Sequence, residues 1–313
     1  MAPTTDAVAR KVVAGAPALR VLEPTASRTR WFHRLLRNRS VIVGAAIFLL
    51  FLLAALLAGQ ISTHVPTRLN PPQRLKPPSA ANFLGTDEFG RDVYSLVVHG
   101  SRVSLLVGGV TMLFTSLGGT LVGLIAGYYR RLDLVVMRFM DGLMAFPAII
   151  LAIAFMAARG PGVWNVILAL SLVYMPRTAL LVRSTVLSLR ELDYVAAARA
   201  LGRRDLAIAV RHILPNCLAP LLVQGTFIFA YAVLAEAILG FLGVGVPPYV
   251  PSWGNVIASG KNVIREAFWV SLFPGITLTM AGLSLNLLGD GLRDTLDPRL
   301  RGSVGTGTGR QSA

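Results

Sequence analysis

Leu189 to Asn216 reads LRELDYVAAARALGRRDLAIAVRHILPN, and the fold turns on how this stretch is understood. Asp193 is suited to cap a helix N-terminus, and Gly202 to close one in the left-handed conformation. Between them, Tyr194 to Leu201 predicts about two helical turns. Tyr194, Ala197, Ala198 and Leu201 share one face by the i, i+3, i+4, i+7 spacing. Three consecutive alanines, Ala196 to Ala198, keep the rod thin, so another surface can approach closely. Arg203, Arg204 and Asp205 then open a second helix that stops near Pro215. A short helix, a glycine turn and a second helix suit a docking element. They equally suit a connector between the flanking segments, and the residues alone leave both readings open.

What flanks the stretch is apolar. Of the 313 residues 54% are hydrophobic and 14% are charged, against about 25% charged in a soluble domain. A compact core could not bury that much apolar surface, and a disordered chain would be polar. The composition therefore points to an all-α integral membrane protein. A helix needs about 20 mostly apolar residues to cross a bilayer. Six segments qualify: 41–59, 103–127, 142–158 (with Pro147), 162–181 (interrupted by Pro176 and Arg177), 221–242 (with Glu236) and 268–288. The first is expected to be an anchor rather than a cleaved signal peptide, because its basic leader is long and no A-x-A site follows. The chain thus divides into a partly disordered leader (1–40), an anchor helix (41–59), an outer loop (60–100), a main membrane domain (101–290) and a flexible tail (291–313).

The net charge of +15 would suit nucleic acid. The arginines, however, sit between apolar spans rather than on one polar domain, so they act as topology signals. With the N-terminus inside, the inner segments hold 22 Lys and Arg: eight in the leader, three at Arg130, Arg131 and Arg138, seven from Arg177 to Arg211, and four in the tail. The outer segments hold eight. This split places both termini in the cytoplasm and Gln73 outside. The one cysteine, Cys217, excludes an intrachain disulfide and a clustered-cysteine metal site. It is expected to be a buried, redox-silent thiol.

The run A-A-A-R-A-L-G followed by H-I-L-P-N resembles the EAA loop of binding-protein-dependent ABC importer permeases. Ala197 and Ala198 match its alanines, Gly202 its glycine, and Leu214 and Pro215 its end. Ala196 stands where an acid is usual, and His212 where Ile is usual. LGTDEFGRDVYSLVVHGSRVSL (84–105), MRFMDGLMAFP (137–147) and EAILGFLGVGVPPYVPSWG (236–254) narrow the resemblance to the second permease subunit of dipeptide, oligopeptide and nickel importers. This resemblance implies a type I ABC transmembrane domain over about 101–290, preceded by an extra N-terminal anchor helix, six spans in all. It implies import of short peptides across the cytoplasmic membrane, or of nickel, glutathione or oligosaccharide by the same architecture. The partners implied are a homologous second permease, two ATPase subunits and an extracytoplasmic binding protein. Glu191, Tyr194, Ala197, Ala198, Arg199, Gly202, Arg203, Leu214 and Pro215 would dock the ATPases. No cofactor is expected in this chain, with ATP and Mg on the partners.

Other classes find little support. The nearest phosphate-loop fragment, GNVIASGKN (254–262), has one residue too many between its glycines, and Asn262 stands where Ser or Thr should bind magnesium. An intramembrane enzyme or an ion-coupled transporter would need paired ionisable residues inside spans, and only Glu236 lies well inside one. Glu236 is either part of a substrate path or gate, or a structural group bonding neighbouring helices. Tyr249 and Trp253 are expected at the outer membrane surface. Asp87 to Asp92 is either the start of a short interfacial helix or a solvated turn.

Overall fold

The computed structural model of the chain describes residue 35 and residues 37–296. The expectations for the leader up to residue 34 and for the tail from residue 297, which includes Ser303, lie outside the described residues. Those described form helices: α1 (Arg39–Leu56), α2 (Val93–Tyr128), α3 (Arg130–Met144), α4 (Ala148–Arg159), α5 (Val163–Leu189), α6 (Asp193–Ala200), α7 (Asp205–Phe241), α8 (Trp253–Gly260) and α9 (Trp269–Leu296). Five of them, α1, α2, α5, α7 and α9, are long and apolar enough to cross a membrane. The pair α3 and α4 makes a sixth span only if it is counted across a 91° bend.

The bend corrects the straight third span expected from the sequence. Pro147 has no amide hydrogen, and the chain turns at Ala145 to Pro147 before α4 begins. Pro176, by contrast, lies inside an unbroken α5, so Arg177 sits at mid-helix rather than in an inner loop. The basic asymmetry survives without it. α2 begins ten residues before the expected span, and α9 continues to Leu296, so the first residues of the expected tail are helical.

α2 and α5 run parallel and form the spine. Gly119, Gly123 and Gly127 fall on one face of α2, against Thr178, Val182 and Val186 of α5. A Cβ at Gly123 would lie 2.5 Å from the Ala179 carbonyl and 2.7 Å from the Val182 Cβ. Apolar association gains little inside lipid, so close backbone approach and dispersion hold such a pair together. Glycine at a four-residue spacing was a visible signal for this contact. α1 docks on α9 in the same way, with Gly44 against the Ser284 carbonyl and Gly291 against Val41. From α2, Arg102 donates to the carbonyls of Ala55 (2.6 Å) and Leu56 (3.1 Å) at the end of α1, where its cation also meets the negative end of the helix dipole.

The outer loop is neither an interfacial helix nor a solvated turn at 87–92. Asp87 and Asp92 are buried. Asp87 accepts from the amides of Phe89 (2.9 Å) and Arg91 (2.8 Å) and from Arg91 Nε (2.6 Å). Asp92 caps α2 by accepting from the Ser95 amide (2.9 Å), and takes further bonds from Thr63 (3.0 Å) and Asn82 (2.9 Å). Gly90, at φ +72°, passes so close to Asn70 that a Cβ would overlap its carbonyl. Trp253 is also corrected: it is fully buried, donates its indole N–H to the Val97 carbonyl (3.0 Å) and packs edge-on against Phe51. Tyr249 alone of that pair is exposed.

Candidate functional site at the inner ends of the helices

α5 ends at Leu189, and the chain turns into α6. The N-cap is Leu192 rather than Asp193, which is the first helical residue and sits where a carboxylate favours the positive end of the dipole. At the other end Gly202 takes φ +75°. Its amide bonds the Arg199 carbonyl (3.0 Å), and the Arg203 amide bonds that of Ala198 (3.2 Å). These two bonds are the Schellman pair, which satisfies carbonyls that the helix end would leave free. A Cβ at Gly202 would meet open space, so the demand for glycine there is conformational.

The second arm does not stop at Pro215. Asp205–Ile208 is α-helical, Ala209–Ile213 is a π-turn, and Leu214 continues the helix to Phe241. Pro215 lies at the start of the last stretch, where the wider turn absorbs its missing amide hydrogen. The arm and span five are therefore one rod.

Packing sorts the expected docking residues into two sets. Val195 and Ala198 point inward, with Ile208, Ile213 and Cys217, against Val182 and Val186 of α5. Ala198 is thus part of the packing, which corrects the shared face proposed for it, and Val195 was missed. Cys217 is fully buried, as expected of a small apolar group. Tyr194, Ala197, Arg199, Gly202, Arg203 and Pro215 are exposed, and Leu214 is half-buried. Glu191 is exposed and pairs with Arg190 (3.0 Å). The outward surface carries Leu201 at 85% exposure and Leu206 at 68%. Leu206 was not among the expected residues. Its sign is a leucine beside Asp205 with no inward partner.

Polar ties hold this element to the spans. Tyr128 donates to Asp205 (2.6 Å), Arg190 to the Gly127 carbonyl (3.1 Å), and Arg183 to Asp133 through Nη2 (2.6 Å). The site is therefore a rigid, basic, partly apolar knob on a braced base.

Glu236 lies elsewhere. It is fully buried near the outer ends of α2, α7 and α8, and accepts from Ser104 Oγ (2.8 Å), which in turn accepts from the Trp253 amide (3.2 Å). Its Oε1 has no hydrogen-bond partner among the described residues. A side chain sealed in this way is not at the chain surface.

The sequence matches two family models. Residues 119–302 match the binding-protein-dependent transport system inner membrane component, and residues 29–78 match the N-terminal TM domain of oligopeptide transport permease C. A Brucella abortus protein provisionally named a peptide transport system permease protein is 51% identical over 269 residues, 86% of this chain and 91% of that protein. The dipeptide transport system permease protein of Alkalihalophilus pseudofirmus is 43% identical over 86% of this chain and 89% of its own length. The glutathione transport system permease protein of Pectobacterium atrosepticum is 38% identical over 90% of this chain and 96% of its own length.

Proposed function

This chain belongs to the binding-protein-dependent transport system inner membrane components, and on that premise we propose that it is one of two permease subunits of an ATP-driven importer of short peptides in the cytoplasmic membrane. The relatives named for peptides and dipeptides support the substrate class, and glutathione, itself a tripeptide, falls within it. A second permease completes the path, two ATPase subunits bind ATP and Mg on the inner side, and a binding protein delivers substrate outside. Both termini lie in the cytoplasm, in keeping with the basic asymmetry.

The observation that carries this reading is the exposed apolar knob. Leu201 and Leu206 are held in water by a satisfied cap and a braced base, an arrangement that suits a protein groove. When ATP closes the ATPase dimer, the knob moves with it and the spans open outward; after hydrolysis they open inward. The double variant Leu201→Ser and Leu206→Ser tests the reading. It should insert into the membrane and keep its thermal stability, but lose co-purification of the ATPase subunits and peptide uptake. Normal uptake with both ATPases retained would make the knob a mere connector.

A further inference from the structure

Arg177 stands at the middle of α5, fifteenth of its 27 residues. At 1.5 Å per residue it lies about 21 Å along the helix from the outer end, inside a hydrocarbon layer of about 30 Å. Its side chain is exposed, and among the described residues no carboxylate lies within ion-pair distance of it. A charge at that depth is costly in lipid and must meet water, protein or substrate. The structure places it on a cavity of about 420 Å³, at the break between α3 and α4. Tyr174 and Tyr231 line the same cavity, with Phe146, Pro147 and Ala148 on the broken side. Tyr174 Oη lies 3.5 Å from the Tyr231 carbonyl, which ties the α5 wall to the α7 wall. The volume is that of a small-ligand site, and its makeup is mostly apolar with a few convergent polar groups.

We infer that this cavity is a carboxylate-binding station on the import path, where Arg177 takes the C-terminal carboxylate of a short peptide and the two tyrosines border the residues that carry it. The inference rests on the peptide-importer reading and names a contact within it. A guanidinium matches a carboxylate through two parallel N–H donors, and the broken span leaves the room that a straight helix would fill. Arg177 is then a filter for a free carboxyl end, independent of the side chain of the residue that bears it.

The test uses the whole complex, with its binding protein and ATPases, in liposomes, and dialanine as the probe. A Cys217→Ala background removes the native thiol, and Arg177→Cys is added to it. Co-purification of the other subunits checks assembly. Uptake should fall at least tenfold in the Arg177→Cys complex. Treatment with 2-aminoethyl methanethiosulfonate, which restores a cation, should recover a large part of it. The anionic sulfonatoethyl reagent should not, and saturating dialanine should slow both modifications. Uptake unchanged by Arg177→Cys overturns the inference. So does a thiol that neither reagent reaches, the result expected if Arg177 pairs with an acid of the second permease. A Cys217→Ala complex that takes up no dialanine, but does take up another class of solute, instead overturns the peptide reading beneath it.

Discussion

The outer turn LGTDEFGRD and the inner stretch from Leu189 to Pro215 are equally conspicuous in the sequence, and they are built in opposite ways. In the outer turn Asp87 and Asp92 are buried, and both Asp87 carboxylate oxygens are bonded within the turn itself. In the inner stretch the backbone cap, the inward face and the side-chain ties of Asp205 and Arg190 are satisfied, while leucines are left in water. A motif that closes on itself serves folding. A motif that is rigid yet leaves apolar side chains outside is finished by something else.

The contrast can be broken most sharply at the outer end. Asp87→Ala removes a buried acceptor from two amides and a guanidinium, and should cost about 3 kcal/mol. The purified chain should show this as a clearly lowered thermal midpoint, with poor yield; an unchanged midpoint would mean that the turn is not self-supporting. Next in size is a matched pair on α6. Ala198→Asp places a charge in the packed cluster and should destabilise by about 2–3 kcal/mol. Ala197→Asp, one residue away and exposed, should stay within about 0.5 kcal/mol while still reducing ATPase co-purification. Equal loss of stability in the two would erase the division of that helix into inner and outer faces. Smaller than the loss from Ala198→Asp is that from Gly202→Ala. A Cβ meets no atom there, so only the left-handed backbone is penalised, by about 1 kcal/mol. Hydrogen exchange at the Gly202 and Arg203 amides should quicken while the spans stay protected. Exchange that remains slow would show that the cap is not what holds α6.

Much of this was legible. Long uncharged runs mark the spans because lipid accepts little else, and the spacing of Tyr194 and Leu201 marks a helix. Direction was harder. Periodicity puts Ala197 and Ala198 side by side, and only the α5 valines decide which of them turns inward. Prolines misled in both senses. Pro176 was read as an interruption and is carried inside a helix. Pro147 was read as part of a span and marks a sharp break. Hydropathy weighs composition and is blind to a bend. Trp253 reads as an interface anchor by type, yet the Val97 carbonyl accepts its N–H and lets the ring go inside. The glycines of α2 were legible and went unread.

The continuity of α7 has a mechanical meaning. Its 37 residues make a rod about 55 Å long, from Asp205 beside the exposed Leu201 and Leu206 knob to Phe241 at its far end. Pro220 divides it into a shorter inner arm and a longer outer one, in a ratio of about 1.4 at equal rise per residue. Any rotation of the rod about that point is a lever stroke with a gain above one: the Phe241 end sweeps farther than the Asp205 end is pushed.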